Sequence, residues 1–188
     1  MAELRLLETI LSIDGVVQNL SYHQSRVNNA RTNFGFYDVL SLTLTPPQTG
    51  VYRCRILYGK HILKIEYFDF IPKIFKKLKI VQSTINYAFK YEDREELNTL
   101  LIPEYDDVII VKNDLVTDTS IANLAFLKEG VWFTPRTPLL EGTTRARLIN
   151  EKKLVMADIR AEDIQNYEKV AMMNALYGFN ILKNIIID

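Results

Sequence analysis

The sequence predicts an α+β fold of two small lobes, residues 1–85 and 86–188. Short apolar segments separated by turn residues dominate the first part, with one helical segment among them. Near residue 86 the chain changes to an acidic helical segment followed by β-branched strands. Several strands with a few helices packed against them are typical of α+β folds. A chain of 188 residues is long enough for two small lobes that share a core.

In the first lobe, LRLLETILS at 4–12 is apolar enough for a buried strand. Asp14-Gly15 is a tight-turn pair, so VVQNL after it predicts a hairpin. Ser21 predicts the cap of a helix through Thr32, with Gly35 just past its end. The remaining elements are a loop at 45–50, a second hairpin around Gly59-Lys60 and a strand over KIVQSTINYAF at 79–89.

In the second lobe, EDREELNTLL at 92–101 predicts a helix and DDVIIV at 106–111 a β-branched strand. A turn at Lys112-Asn113-Asp114 precedes LVTDTSIANLAFL, which we predict to be extended, and VWFTP pairs back after Glu129-Gly130. A helix follows Gly142. The final predicted strands are MADIR and KVAMMNA, with ILKNIIID as the tail.

The composition excludes several functional classes. Lys and Arg number 23 and Asp and Glu also 23, so no basic field predicts binding to nucleic acid or a membrane. Cys54 is the single cysteine and is predicted to lie in the core; with two histidines, no metal site is predicted. The sequence shows no signal peptide and no stretch of about eighteen apolar residues, so we expect a cytoplasmic protein.

Three short stretches carry side chains suited to chemistry. Gly142-Thr143-Thr144 opens a predicted helix, whose free N–H groups could bind phosphate, although Thr is also an ordinary cap. Asp118 and Ser120 lie on an otherwise apolar segment, where a buried carboxylate needs a cation or donors; an Asx turn between strands is the alternative. His23 and Arg26 share one helix face, and the Arg fork suits phosphate unless the two form a surface pair.

Lys90 stands where a predicted strand gives way to a helix. By itself it would be a solvated surface lysine. Together with the three stretches it completes the set of groups that pyridoxal 5'-phosphate requires: an amine for a covalent bond, a carboxylate for the ring nitrogen and a phosphate site.

The sequence resembles the class IV aminotransferases, the fold-type IV pyridoxal-phosphate enzymes, along nearly its whole length. The most specific match is VTDTSIANLAF at 116–126, which resembles the family pattern V-T-E-x-x-x-A-N-L-F. Five further segments match in the family's order: LLETI resembles the F-E-T strand, YHQSR the H-x-x-R helix, FKYEDREEL the K-x-x-N-R segment, GTTR the G-x-x-R turn, and MMNAL a later segment near the cofactor.

The resemblance implies a fold-type IV architecture with the cofactor site between the two lobes. It implies that Lys90 is the catalytic residue bonded to the cofactor, that Asp118 faces the ring nitrogen and that Arg26 binds the phosphate. The full set of cofactor-binding candidates is Arg26, Lys90, Asp118, Ser120, Gly142, Thr143, Thr144 and Asn174.

The resemblance also implies a small-molecule amine substrate and a homodimer, because the family completes its pocket at a two-fold interface. Among the activities of the family, the motifs lie closest to 4-amino-4-deoxychorismate lyase. The alternatives are a branched-chain or D-amino acid aminotransferase, and a non-catalytic binding protein that keeps the fold.

The chain departs from the family pattern at four places. Leu7 replaces an aromatic residue, Asp93 stands in the Asn position of K-x-x-N-R, Asp118 is one methylene shorter than the usual glutamate, and the loop after RILYG is reduced to a tight turn. Because that loop often carries substrate-binding residues, Arg53 or Arg55 is the candidate replacement for holding a substrate carboxylate.

Overall fold

The computed structural model describes residues 3–188. They form two compact units: the first contains the chain up to Pro72 together with Phe89–Asp93, and the second contains Lys73–Ala88 and Arg94–Asp188. The mixture of sheets with a few helices confirms the predicted α+β class. No helix within residues 3–188 has the length and apolar character needed to span a membrane.

The first unit contains a four-stranded antiparallel sheet in the order β2-β1-β3-β4. Asp14 and Gly15 adopt positive φ angles of 46° and 79°, as expected for a tight hairpin turn. The predicted hairpins around Asp14-Gly15 and Gly59-Lys60 are therefore confirmed. The strands are β1 (Leu6–Ile13), β2 (Val16–Val17), β3 (Val51–Tyr58) and β4 (Ile62–Asp69).

One helix, α1 (Leu20–Asn33), packs on this sheet. Its N-cap is Asn19 in the left-handed conformation, without a side-chain cap bond, so the prediction of a Ser21 cap was wrong by two residues. Gly35 follows the end of α1 with φ 82°, as predicted. The core between helix and sheet includes Cys54, as expected, and its other buried members are Leu6, Ile10, Val27, Ala30, Leu42, Ile56 and Tyr58.

The segment Phe89–Asp93 joins the first unit by pairing with β1. The N–H of Leu7 donates to the carbonyl of Lys90 at 2.8 Å, and the N–H of Glu92 donates to the carbonyl of Arg5 at 3.1 Å. The strand predicted over residues 79–89 instead ends at Gln82. Lys90 therefore lies on a short segment whose backbone is held beside β1, and the N–H of Tyr91 donates to the carbonyl of Phe89 at 3.0 Å around it.

The second unit is built on a sheet in which β10, β9, β8, β7, β6, β5 and β13 lie in that order, while β11 also pairs with β8 and β12 pairs with β11. Asn113 and Asp114 have φ angles of 51° and 65° in the turn between β6 and β7. The strands are β5 (Lys77–Gln82), β6 (Asp107–Lys112), β7 (Leu115–Thr119), β8 (Asn123–Lys128), β9 (Val131–Pro135), β10 (Val155–Ala157), β11 (Lys169–Asn174), β12 (Gly178–Ile181) and β13 (Ile186–Ile187).

Two predictions for this unit need correction. The segment 115–127 is not one extended run, because residues 120–122 turn the chain so that β8 returns beside β7. The acidic helix is a single turn, α2 (Glu95–Asn98), rather than ten residues long. The helix predicted after Gly142 is confirmed as α3 (Thr143–Asn150), and a 3-10 turn covers Ala161–Asn166. Apolar residues of β6, β7 and β8 form the core with Ile159, Val170 and Leu182.

Candidate functional site

In the first unit, a buried carboxylate holds the arginine of the H-x-x-R segment. Glu8 lies on β1 and is fully buried, and it faces His23 and Arg26 on α1. Arg26 donates from Nε to Oε1 of Glu8 at 2.8 Å and from Nη2 to Oε2 at 2.6 Å. Nδ1 of His23 lies 2.6 Å from Oε2 of the same carboxylate. The surface-pair alternative for His23 and Arg26 was therefore wrong.

The charge of this cluster is set by competition between burial and pairing. Burial alone would raise the pKa of Glu8, but the charge of Arg26 and the hydrogen bonds from His23 and Arg26 lower that pKa to about 2. Tyr58, also buried, has its pKa raised by burial and by the Glu8 carboxylate. Glu8 therefore remains ionised at neutral pH and fixes the direction of the Arg26 guanidinium.

Lys90 is half-buried, and its backbone carbonyl accepts the hydrogen bond from the N–H of Leu7. Two residues on, the Glu92 carboxylate accepts from Nε of Arg5 at 2.5 Å and from Nη2 of Arg55 at 3.0 Å. These ion pairs and the backbone pairing with β1 attach the segment that carries Lys90 to the sheet of the first unit.

The two arginines considered for a substrate carboxylate have partners of their own. Arg55 binds Glu66 at 2.8 Å in addition to Glu92. Arg53 is exposed, and its guanidinium lies 4.8 Å from the centre of the Phe68 ring. Arg55 is thus held by two carboxylates of its own unit.

In the second unit, Asp118 lies at the end of β7 with 4% of its surface exposed. Its Oδ1 accepts a hydrogen bond from Nδ2 of Asn123 at 2.7 Å, and its Oδ2 accepts one from the N–H of Leu140 at 2.9 Å. Burial raises the pKa of this carboxyl to about 7, although these two hydrogen bonds and the charge of Arg145 act in the opposite direction.

The alternative of an Asx turn at Asp118 was wrong, because the side chain of Thr119, not that of Asp118, accepts the hydrogen bonds of the turn. Oγ1 of Thr119 accepts from the N–H groups of Ile121 and Ala122 at 3.3 and 3.0 Å. The Asp118 carboxyl instead accepts its hydrogen bonds from Asn123 and Leu140. Asp118 is a buried acid with a raised pKa, a combination often found at functional sites.

Gly142 precedes α3 in an extended conformation and makes no side-chain cap bond. The first N–H groups of an α-helix have no acceptor within the helix, and they attract anions together with the helix dipole. Thr143 and Thr144 open the helix and are both 6% exposed. A Cβ at position 142 would lie 1.8 Å from Oδ1 of Asn123, so only glycine fits here. Arg145 is buried and donates to Glu141 and to the carbonyl of Pro135, each at 2.8 Å.

Ser120 and Asn174 are fixed through backbone contacts. The N–H of Ser120 donates to Oδ1 of Asp107 at 3.2 Å, and its carbonyl accepts from Nη2 of Arg94 at 2.7 Å. The Asn174 amide donates to the carbonyl of Ile121 at 3.1 Å and accepts from the N–H groups of Leu176 and Tyr177, both at 2.9 Å. Asn174 thus ties the turn after β11 to the turn that contains Ser120.

Two residues of these clusters were not among the predicted site residues. Glu8 carried a usable signal, since a charge within the apolar strand LLETI requires a buried partner. Asn123 carried a weaker one, because only the pairing of β7 with β8 places it opposite Asp118. Within the second unit, the structure brings together Asp118, Asn123 and the loop before Gly142.

Comparison with known proteins identifies the family. The model for "Amino-transferase class IV" matches residues 83–185, more than half of the chain. An uncharacterized protein of Haemophilus influenzae is 36% identical over 185 residues, which cover 92% of this chain and 98% of that protein.

Two solved structures share the fold of this chain. The crystal structure of a candidate 4-amino-4-deoxychorismate lyase from Haemophilus somnus 129PT is 36% identical, with a TM-score of 0.84, and the match covers 95% of this chain and 99% of that one. A hypothetical aminotransferase from Mycobacterium tuberculosis, in its pyridoxal-phosphate-bound form, shares the fold at 13% identity with a TM-score of 0.77, over 96% of this chain and 81% of that one. The protein therefore belongs to the class IV aminotransferases, a family of pyridoxal-phosphate-dependent enzymes.

Proposed function

We propose that this chain binds pyridoxal 5'-phosphate and acts as a 4-amino-4-deoxychorismate lyase, releasing 4-aminobenzoate and pyruvate. The observation that carries the proposal is the hydrogen-bonded cluster in the second unit, where the buried Asp118 is joined through Asn123 to the loop before α3. The resemblance to the candidate lyase from Haemophilus somnus, at 36% identity over 95% of the chain, supports the choice of reaction.

The residues of this cluster fit the cofactor. The pKa of Asp118 stands at about 7 chiefly because burial disfavours its charged form. A protonated ring nitrogen would supply the missing positive charge and favour the carboxylate. The α3 N-terminus, with no side-chain cap and only glycine tolerated at 142, is suited to the phosphate.

Each candidate residue then has a specific task. Bound cofactor supplies an aldehyde for the substrate amine and a ring that takes up electrons. Asp118 would hold a proton on the ring nitrogen. Arg26, oriented by Glu8, and the backbone N–H groups of Gly142, Thr143 and Thr144 are the proposed ligands of the phosphate. Ser120 and Asn174 are the remaining proposed cofactor contacts, placed by the turns that they fix.

Lys90 is the acid–base residue of the proposed reaction. Its amine removes the hydrogen from the substrate carbon that bears the amino group, and the electrons of that bond expel the enolpyruvyl oxygen. The departing enolate takes up a proton on its methylene carbon to become pyruvate. The remaining ring is aromatic, which makes the reaction strongly favourable. An aminotransferase would instead pass the amino group to a keto acid and would form no 4-aminobenzoate.

The test is to supply 4-amino-4-deoxychorismate to the cofactor-loaded protein and follow 4-aminobenzoate fluorescence together with pyruvate. Equal amounts of both products are expected from the wild type, and none from Lys90→Ala. Lys128→Ala removes an exposed lysine and serves as the matched control, with unchanged activity. Amino-group transfer from amino acids to a keto acid, without 4-aminobenzoate, would instead identify an aminotransferase. Cofactor binding without either reaction would identify a binding protein.

A further inference from the structure

Asn123 uses both hydrogens of its side-chain amide. Nδ2 donates to Oδ1 of Asp118 at 2.7 Å and to the carbonyl of Leu140 at 2.8 Å. Leu140 completes a closed ring of contacts, because its own N–H donates to Oδ2 of Asp118 at 2.9 Å. Asn123 is 5% exposed and lies directly opposite Asp118 across the β7–β8 pair. Its side chain therefore has one defined orientation.

That orientation brings the other end of the amide to Gly142. A Cβ at position 142 would lie 1.8 Å from Oδ1 and 3.0 Å from Cγ of Asn123. The amide cannot turn away from such a Cβ without breaking its two hydrogen bonds. One side chain thus contacts the Asp118 carboxylate at one end and Gly142, the residue before α3, at the other.

We propose that Asn123 is a positioning residue that couples the Asp118 carboxylate to the phosphate-binding loop at Gly142, so that the two ends of the cofactor are held in register by one amide. This inference rests on the proposed function for the identity of the ligand. The coupling between residues 118, 123 and 142 is a property of the protein itself, and it can be measured without cofactor.

The coupling has two measurable consequences. A donor to the charged form of a carboxyl favours ionisation, so loss of the Asn123 amide raises the pH at which Asp118 titrates. The same loss should weaken binding of the phosphorylated cofactor more than binding of pyridoxal, which lacks phosphate, because the loop is released as well.

A double-mutant cycle between Asn123→Ser and Gly142→Ala tests the proposal. Gly142→Ala in the wild-type background should raise the apparent Kd for pyridoxal 5'-phosphate tenfold to a hundredfold, because the new Cβ displaces the amide. In the Asn123→Ser background Oδ1 is removed, and Gly142→Ala should cost at least tenfold less than in the wild-type background. Equal costs in the two backgrounds would overturn the coupling.

The cofactor-free readout is the pH dependence of urea unfolding, measured against Asp118→Asn to isolate the contribution of Asp118. Asn123→Ser and Gly142→Ala should each shift this titration to higher pH. Thr134→Val is the matched control, because it removes a buried hydrogen bond of 2.8 Å to the carbonyl of Leu124 and should not shift the titration.

These two readouts separate the possible failures. If the wild type binds no cofactor but the Asp118 titration shifts in both Asn123→Ser and Gly142→Ala, the proposed function is refuted and the coupling is supported. Shifts equal to that of Thr134→Val would overturn the coupling whatever the cofactor does. If Asn123→Ser does not fold, Gly142→Ala decides alone, since an unchanged Asp118 titration in that variant contradicts the proposed contact.

Discussion

Arg26 donates two hydrogen bonds to the buried carboxylate of Glu8, from Nε to Oε1 at 2.8 Å and from Nη2 to Oε2 at 2.6 Å. The contact joins the F-E-T-like strand to the H-x-x-R-like helix, and it fixes the plane of the guanidinium. Because both edges of a planar fork are oriented when one edge is bound, Glu8 determines the direction in which the guanidinium of Arg26 points.

The first prediction concerns Glu8→Gln. The amide cannot compensate the Arg26 charge, and breaking a buried pair by neutralising one partner costs about 3 kcal/mol. The greater stability of the wild type should be lost in acid. The pKa of Glu8 is about 2 in the folded protein, below its unfolded value, so the stabilisation is complete above pH about 4.5 and disappears as the pH falls toward 2. Urea unfolding at pH 7 and at pH 3 measures both effects, and equal stability of variant and wild type at pH 7 would contradict the pairing.

Arg26→Lys should weaken the cofactor complex and leave the fold in place. Lysine keeps the charge beside Glu8 but cannot form the two-pronged contact. Losing one charge-assisted hydrogen bond to phosphate costs roughly 1.5–3 kcal/mol, or about a tenfold to hundredfold rise in Kd. Fluorescence titration with pyridoxal phosphate and with pyridoxal distinguishes a loss of phosphate binding from a general loss of cofactor affinity, because the affinity for pyridoxal should not change. The exposed Arg53→Lys is the control, and an equal loss for both ligands would argue against phosphate binding by Arg26.

Asp118→Asn should change how stability depends on pH in the cofactor-free protein. The folded pKa of about 7 lies above the unfolded value, so the wild type loses stability as the pH rises from about 4 through about 7. The three-unit difference corresponds to about 4 kcal/mol as an upper value. The variant should lack this decline, and urea unfolding across the range measures it. A decline retained in Asp118→Asn would mean that another group titrates.

The protein is predicted to form a homodimer. The family resemblance implies a cofactor pocket completed at a two-fold interface, and two-fold dimers are the commonest closed assembly. Light scattering at micromolar concentration should give a mass of about twice 21.8 kDa with cofactor bound. A monomer that retains the cofactor and turns over substrate would refute the prediction.

Local patterns in the sequence were sufficient for most of the strands. The β-branched run Val108–Val111 and the turn residues Asn113 and Asp114 specify β6 and its hairpin, because both signals act over a few neighbouring residues. The single-turn length of α2 was not predicted, since its acidic residues favour a helix equally well at any of several lengths.

Long-range contacts were the part that could not be predicted. Glu8 and Arg26 are eighteen residues apart, and only the packing of α1 on the sheet brings them together. The Asn123 amide reaches Leu140 across a distance of seventeen residues along the chain. Local propensity contains no information about either pairing. The resemblance to the family assigned roles to Arg26, Asp118 and Gly142, whereas Glu8 and Asn123 stand in matched segments without an assigned role.

Lys90 is the proposed attachment point of the cofactor, and reduction with borohydride should trap the cofactor on it. Protein loaded with pyridoxal phosphate is reduced with borohydride, digested and mapped by mass spectrometry, with Lys128→Ala as the control variant and Lys90→Ala as the negative one. One reduced cofactor adduct is expected, on the peptide that contains Lys90, in the wild type and in Lys128→Ala, and none in Lys90→Ala. An adduct on a different lysine, or an undiminished adduct in Lys90→Ala, would show that Lys90 does not carry the cofactor.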